Sequence, residues 1–219
     1  MVDAGTASDR PCRGRPPRTA AQRASHREQL VRRSIGVIRH AGSEVSLDEL
    51  AAGIGVSKPV LYDEFGSRLG VADAVAAALA RQLERTVAAQ LADPDRTDVD
   101  HLIDALTETF ITLVDEEAEL YEFIVRAFWN DGRGLLGNPL VRLLHERVQP
   151  IVAARSAVGD DELTILIDGM YGFMLASVQS WKVEPRLSRD EMVKMIGTVL
   201  QAALRGVERS SRPDVSPRS

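Results

Sequence analysis

The chain has 219 residues, of which 44% are hydrophobic and 27% charged, and this composition predicts a globular protein with enough apolar material for a core. Its single cysteine, Cys12, excludes an intrachain disulfide and the usual cysteine-based zinc sites. The net charge of −5 argues against a nucleic-acid binder, but residues 1–40 carry +6 and residues 41–219 carry −11, which indicates a polyanionic partner for the first segment alone.

The chain is predicted to be all-α, with about nine helices and no strands. Residues 1–24 are rich in Arg, Pro and Gly and are expected to form a flexible basic arm. A first helix runs from about His26 to Gly42. The pattern Ser46-Leu-Asp-Glu49 is a capping box that opens a second helix, and Gly55 ends it.

The remaining helices are separated by glycine and proline. Ser57 is the expected N-cap of a third helix, with Pro59 in its first turn. Longer helices are predicted over 68–91, 99–116, 118–130, 138–156, 160–182 and 189–208. The chain therefore divides into the arm (1–24), a three-helix unit (25–70), an all-α body (71–208) and a disordered tail (209–219).

The segment from Ser46 to Arg68 describes a helix-turn-helix. Its two short capped helices are joined by a tight glycine-containing turn, and apolar residues would hold them together. The opposite face of the second of these helices would carry Lys58, Pro59 and Tyr62. Such a face fits the major groove of DNA, which admits a single α-helix. An ordinary helical corner is the alternative reading.

Residues 27–68 closely resemble the N-terminal domain of the tetracycline-repressor (TetR) family of bacterial regulators. The resemblance rests on residue types at matching spacing: Arg27, Gly42, Ser46, Gly55-Val56-Ser57, Tyr62, Phe65 and Arg68. It implies a homodimeric DNA-binding regulator, usually a repressor, that a small molecule releases from a palindromic operator. It also implies an all-α C-terminal domain for ligand binding and dimerisation.

The resemblance also implies roles for individual residues. Ser46, Ser57, Tyr62 and Arg68 would contact phosphates, Arg27 would belong to the same surface, and Lys58, Pro59 and Val60 would face or abut base edges. Asp63 and Glu64 depart from an ideal DNA face, because carboxylates repel phosphate.

The arm adds Arg13, Arg15 and Arg18 to the predicted DNA contacts. A flexible basic segment can enter a minor groove or follow phosphates. A solvated tail without order is the alternative.

Aromatic and methionine residues concentrate in two stretches of the body. Some of them are expected to line a largely apolar ligand cavity; the candidates are Phe110, Tyr121, Phe123, Phe128, Trp129, Met170, Tyr171 and Met174. The alternative is that these side chains are simply the core of a helical domain.

The last two long helices are expected to form a two-fold, four-helix dimer interface. The candidate residues share one face of each helix and include small side chains that permit close approach: Ile165, Gly169, Gly172, Phe173, Ala176, Ser180, Met192, Ile196 and Leu200. Packing within one chain is the alternative.

Other classes of function have little support. The four histidines are widely separated, and no phosphate-binding loop, nucleophile elbow or dinucleotide fingerprint appears, so no metal, cofactor or catalytic residue is expected. The acidic cluster Asp115, Glu116, Glu117 and Glu119 is interpreted as solvated surface. Without a signal peptide or an apolar run long enough to span a bilayer, we expect a cytoplasmic protein without a membrane partner.

Two rivals to the ligand-responsive repressor stay open. One is an activator or architectural DNA-binding protein without a ligand. The other is an all-α small-molecule carrier or enzyme whose helix-turn-helix is incidental.

Overall fold

The computed structural model describes residues 19–92, 98–130, 139–156 and 158–211, and within them the chain forms nine helices and no strand. Their bounds are α1 Ala20–Ala41, α2 Leu47–Ile54, α3 Lys58–Phe65, α4 Arg68–Ala92, α5 Val99–Glu116, α6 Ala118–Asn130, α7 139–153, α8 Asp160–Val183 and α9 Arg189–Ser211. Helix α7 contains one π-helical turn, Leu144–Val148, between two α-helical segments. The all-α prediction and the number of helices are confirmed.

Some predicted helix ends are wrong, and α7, predicted to run to 156, ends at 153. Helix α1 begins at Ala20 because Thr19 caps it: the Thr19 hydroxyl accepts a hydrogen bond from Gln22 N–H, and the Gln22 side chain accepts one from Thr19 N–H. Residues 20–24, assigned to the flexible arm, are therefore helical. Helix α9 likewise runs to Ser211 rather than ending at 208. Residues 1–18 and 212–219 lie outside the described part of the chain.

The core has two clusters that meet along α4. One joins α1, α2 and α3 to the first half of α4 and to α6, and we call helices α1 to α3 the head. The other joins the second half of α4 to α5, α7, α8 and α9, and we call helices α5 to α9 the body. Leu120 and Phe123 of α6 are fully buried in the head's cluster, so body residues complete the core of the head.

Gly70 shows how closely α4 follows α3. A Cβ on Gly70 would lie 1.8 Å from the carbonyl oxygen of Phe65. Only glycine fits there, so the turn between α3 and α4 sets the direction in which the long helix leaves the head.

Candidate nucleic-acid interface and ligand cavity

The helix-turn-helix forms as the caps predict. The Ser46 hydroxyl accepts from Glu49 N–H at 3.3 Å, and Glu49 Oε2 accepts from Ser46 N–H at 2.8 Å. Gly55 adopts the left-handed conformation (φ 74°, ψ 36°), and Val56 N–H donates to the Ala51 carbonyl, which closes the turn. Since the Ser46 hydroxyl also donates to Glu49, its hydrogen bonds already lie within the cap.

Helix α3 buries one face and exposes the other. Leu61 and Phe65 are buried against the head's core. The residues on the exposed side are those predicted to face DNA, namely Ser57, Lys58, Pro59, Val60 and Tyr62. The orientation of α3 predicted from its apolar pattern is therefore correct. The Ser57 side chain forms no cap hydrogen bond, so its hydroxyl is available to a phosphate.

Lys58 is the cation on this exposed face, and it is paired with a carboxylate of α2. Its Nζ lies 2.7 Å from Asp48 Oδ1 of α2 and 5.7 Å from the centre of the Tyr62 ring. The hydrogen bond to Asp48 raises the pKa of Lys58 above its usual value. A DNA phosphate or base that binds Lys58 must therefore displace Asp48 or share the ammonium group with it.

Arg27 has a structural role at the base of α3. Its Nη1 donates to the Glu64 carbonyl at 2.6 Å and to Glu64 Oε1 at 3.1 Å, and its guanidinium lies 4.7 Å from the Phe65 ring centre. These contacts hold α1 against the end of α3. They also account for an acidic residue at position 64 of the helix predicted to face DNA, because Arg27 pairs with the Glu64 carboxylate.

Arg68 has partners within the protein that the sequence did not indicate. Its Nη2 donates to the Ser43 carbonyl at 2.5 Å, and its guanidinium lies 4.8 Å from the Phe123 ring centre. Desolvation lowers the pKa of Arg68, with a further contribution from the nearby charge of Arg126. Arg68 thus connects head and body, and its contact with phosphate stays a prediction. Arg13, Arg15 and Arg18 lie outside the described residues.

Acidic side chains of the body bind the loop between α1 and α2. Glu119 Oε2 accepts from Ser43 N–H at 2.6 Å, and Glu117 pairs with Arg39 of α1. Glu122 accepts from Ser43 Oγ and, at 2.8 Å, from Lys182 of α8. Glu117 and Glu119, interpreted from the sequence as solvated surface, therefore connect the body to the head.

The body encloses an apolar cavity between α5, α7, α8 and α9. The centre of a water molecule can occupy about 80 Å³ of it, and one water needs about 10–15 Å³ by that measure. Of the predicted lining residues, Met170, Tyr171 and Met174 line this cavity. Its α5 and α7 walls, which include Ile103, Thr107 and Val148, were not among the predicted lining residues.

The other five predicted lining residues lie elsewhere. Phe110 packs edge-on against Tyr121 and Tyr171, with ring centres 6.1 and 6.4 Å away, and is core. Phe123 and Phe128 belong to the head's cluster, and Trp129 is 68% exposed. For these five residues the cavity prediction is wrong, because clustering of aromatic residues along the sequence does not specify which cluster each side chain joins.

Thr107 is the unusual residue of the cavity wall. It is 1% exposed, and its Oγ1 has no hydrogen-bond partner within the described part of the chain. A visible signal existed: Thr107 interrupts the apolar stripe of α5 between Ile103 and Phe110. Buried polar atoms are normally paired, so a ligand is one explanation for this hydroxyl.

His145 sits in the π-helical turn of α7, beside this cavity. Its Nε2 lies 2.8 Å from Asp168 Oδ1 of α8, and its Nδ1 lies 2.7 Å from Gln149 Oε1. Burial opposes its protonation, but the hydrogen bonds to Gln149 and Asp168 and the charge of Asp168 prevail, so the pKa of His145 is raised. Within the described residues, no three His, Cys, Asp or Glu side chains converge on a metal position.

The outer face of α8 is apolar and uncovered. Ile165 is 73% exposed and Phe173 37%, and Gly169, Gly172, Ala176 and Ser180 lie at least partly exposed around them. By length and composition alone, α8 could also cross a membrane. Asp168, midway along it, instead contacts His145 of α7.

On α9 the interface prediction is wrong for Met192 and Ile196, which are buried within the protomer. Leu200 is largely buried too, but it also lines the groove beside the exposed face of α8, together with Val199, Ala203 and Val207. Packing of α9 on α5 and α8 decides which of its apolar residues are buried.

Comparisons with known proteins agree with this architecture. No family model matches the chain. It is 29% identical over 203 residues to an uncharacterized HTH-type transcriptional regulator of Mycobacterium tuberculosis (strain ATCC 25618 / H37Rv), covering 89% of this chain and 83% of the relative. Among solved structures, it is similar to a TetR-family transcriptional regulator from Streptomyces coelicolor, with a TM-score of 0.62, 16% identity, and coverage of 83% of this chain and 98% of that one. It is also similar to RolR in complex with resorcinol, with a TM-score of 0.59, 15% identity, and coverage of 92% and 100%.

Proposed function

We propose that this chain, a transcriptional regulator with the TetR fold, is a cytoplasmic homodimeric repressor that binds a palindromic operator and is released by a small molecule. The observation that carries the proposal is the outer face of α3. It presents Ser57, Lys58, Pro59 and Tyr62 to solvent on a helix whose inner face, with Leu61 and Phe65, is buried against the head.

On the operator, α3 enters the major groove. Ser57 and Tyr62 donate to phosphates, which sets the register of the protein on the duplex. Lys58 leaves Asp48 and reaches base edges, with Pro59 and Val60 beside it. Arg13, Arg15 and Arg18 of the basic arm add contacts to the backbone or the minor groove, which raise affinity without reading much sequence.

The dimer forms through the exposed faces of α8 and α9. Ile165, Phe173 and Val199 would be covered by the same surface of a second copy around a two-fold axis. A palindromic operator requires two recognition helices related by such an axis. Burial against a second copy also accounts for the apolar outer side of α8.

The ligand binds in the cavity of the body. A protein with this fold, RolR, is known in complex with resorcinol, a small organic molecule. The cavity is walled by α5 and α7, and α4 packs against both. A ligand that favours one arrangement of these helices shifts the population of head positions, and operator affinity falls by the ratio of its affinities for the two states.

An electrophoretic shift of the chain's upstream intergenic DNA tests the proposal. We expect saturable, salt-dependent binding and a several-fold weaker complex for Tyr62→Phe, since only the hydroxyl reaches phosphate. Trp129→Phe, an exposed aromatic change in the body, is the matched control and should bind as the wild type does. Absence of saturable binding by the wild type at low salt would refute the proposal.

A ligand screen separates the repressor from an architectural DNA-binding protein. A cognate ligand in excess raises the melting temperature and releases the operator, because it binds the native state alone. A carrier or enzyme would show the stabilisation without any operator complex to release.

A further inference from the structure

The cavity in the body has an apolar lining with few polar groups. None of the described residues that line it is charged, and nearly all of its surface is hydrocarbon. Thr107 and Tyr171 supply its hydroxyl groups. Thr107 Oγ1 is buried and has no hydrogen-bond partner among the described residues. Thr109 and Thr112 of the same helix, in contrast, donate their hydroxyls to the backbone carbonyl four residues earlier.

We propose that the ligand of this cavity is an uncharged, mainly apolar small molecule with one hydrogen-bonding group, such as a hydroxyl or carbonyl, which pairs with Thr107 Oγ1. The inference rests on the proposed function, because it assigns the chemical class of ligand to the same cavity. It adds a specificity-determining residue that the sequence pattern did not identify.

Electrostatics excludes a charged ligand group inside the cavity. A carboxylate or ammonium loses its hydration on entry and finds no opposite charge among the residues that line the cavity. A single neutral polar group loses far less, and the Thr107 hydroxyl replaces its hydrogen bond to water. The ligand that fits best is therefore one whose polar group is single and neutral.

The cavity can also adapt to the size of such a molecule. Met170 and Met174 line it, and the methionine side chain is flexible and polarizable. The NMR signals of their methyl groups should shift when a molecule binds, because both side chains line the cavity from α8.

The experiment is a titration of full-length protein carrying ¹³C-methyl methionine with four probes that share a six-carbon skeleton. We expect 1-hexanol and 2-hexanone to shift the Met170 and Met174 signals saturably, and hexanoate and hexylammonium to leave them unchanged. In Thr107→Val, which removes the hydroxyl with almost no change of shape, the dissociation constant of 1-hexanol should rise about 3- to 10-fold.

Thr109→Val is the matched control. Its hydroxyl, on the same helix, donates to the Ala105 carbonyl and does not line the cavity. Binding of 1-hexanol should change less than about 2-fold in this variant. The melting temperature of each variant, measured without probe, checks that it folds.

Three outcomes overturn the inference: no saturable binding of either neutral probe, equal binding of hexanoate and 1-hexanol, or equal effects of Thr107→Val and Thr109→Val. The titration contains no DNA, so its result is independent of operator binding. Failure of the operator shift alone would refute the repressor and leave the cavity chemistry intact.

Discussion

The guanidinium of Arg68, the first residue of α4, lies 4.8 Å from the centre of the Phe123 ring in α6. The same guanidinium donates to the Ser43 carbonyl in the loop between α1 and α2. The first residue of α4 therefore contacts both the head, at Ser43, and the body, at Phe123. Glu122, next to Phe123, pairs with Lys182, so the same region of α6 also contacts α8.

Arg68→Ala should destabilise the protein and weaken the response to ligand. It removes a charge-assisted hydrogen bond and a cation–π contact at a half-buried site, and we expect a loss of about 2 kcal/mol in the free energy of unfolding. Urea unfolding measures this. Arg186→Ala is the control, since its pair with Glu184 is exposed, lies away from this junction and should contribute less than about 1 kcal/mol. Equal losses would show that Arg68 is not a junction residue.

Asp48→Asn should strengthen operator binding at low salt. In the free protein Asp48 holds Lys58, so its neutralisation releases the cation for DNA and removes a negative charge near the phosphates. Affinity should rise a few-fold, and fluorescence anisotropy over a range of salt concentrations should show a steeper salt dependence.

Lys58→Ala tests whether the effect of Asp48→Asn acts through Lys58. If Lys58 reads bases, its removal should alter the preference among operator variants, and Asp48→Asn should then have little effect in the Lys58→Ala background. A uniform loss across all sequences would instead assign Lys58 to a phosphate.

Ile165→Arg and Phe173→Glu should each prevent formation of the proposed dimer. Each places a charge on the exposed apolar face of α8, where it would be buried against the second copy without a partner. Sedimentation velocity should show a monomer at concentrations at which the wild type is dimeric, and operator affinity should fall more than 10-fold because the two half-sites are no longer bound together. Trp129→Gln, which alters an exposed aromatic residue away from this face, should remain dimeric.

The stability of the protein should fall as the pH rises through the raised pKa of His145. Its folded-state pKa is raised above 6.5, so the protonated form stabilises the fold. That stabilisation is complete below about pH 6.5 and is lost as the pH rises through the folded pKa. Urea unfolding at pH 6 and pH 8.5 should show a decrease in the wild type, and Asp168→Asn should reduce that difference. A decrease of the same size in both proteins would assign it to other groups.

Local signals in the sequence were sufficient for the helices and for the recognition surface. Caps, turn glycines and apolar spacing act within a few residues, so the capping box at Ser46, the turn at Gly55 and the exposed side of α3 were all predictable. Thr19, an equally local cap, was overlooked, and α1 was predicted too short as a result.

Long-range partners were not predictable, because one sequence does not show which helices meet. Arg68 has the residue type of a phosphate ligand, yet it contacts Ser43 and Phe123, which are 25 and 55 positions away in the sequence. Met192 and Val199 are both apolar residues of α9, and only packing on α5 decides which of them stays exposed. Local pattern thus determined the helices and the exposed side of α3, whereas tertiary packing decided the exposed side of α9, the cavity wall and the junction between head and body.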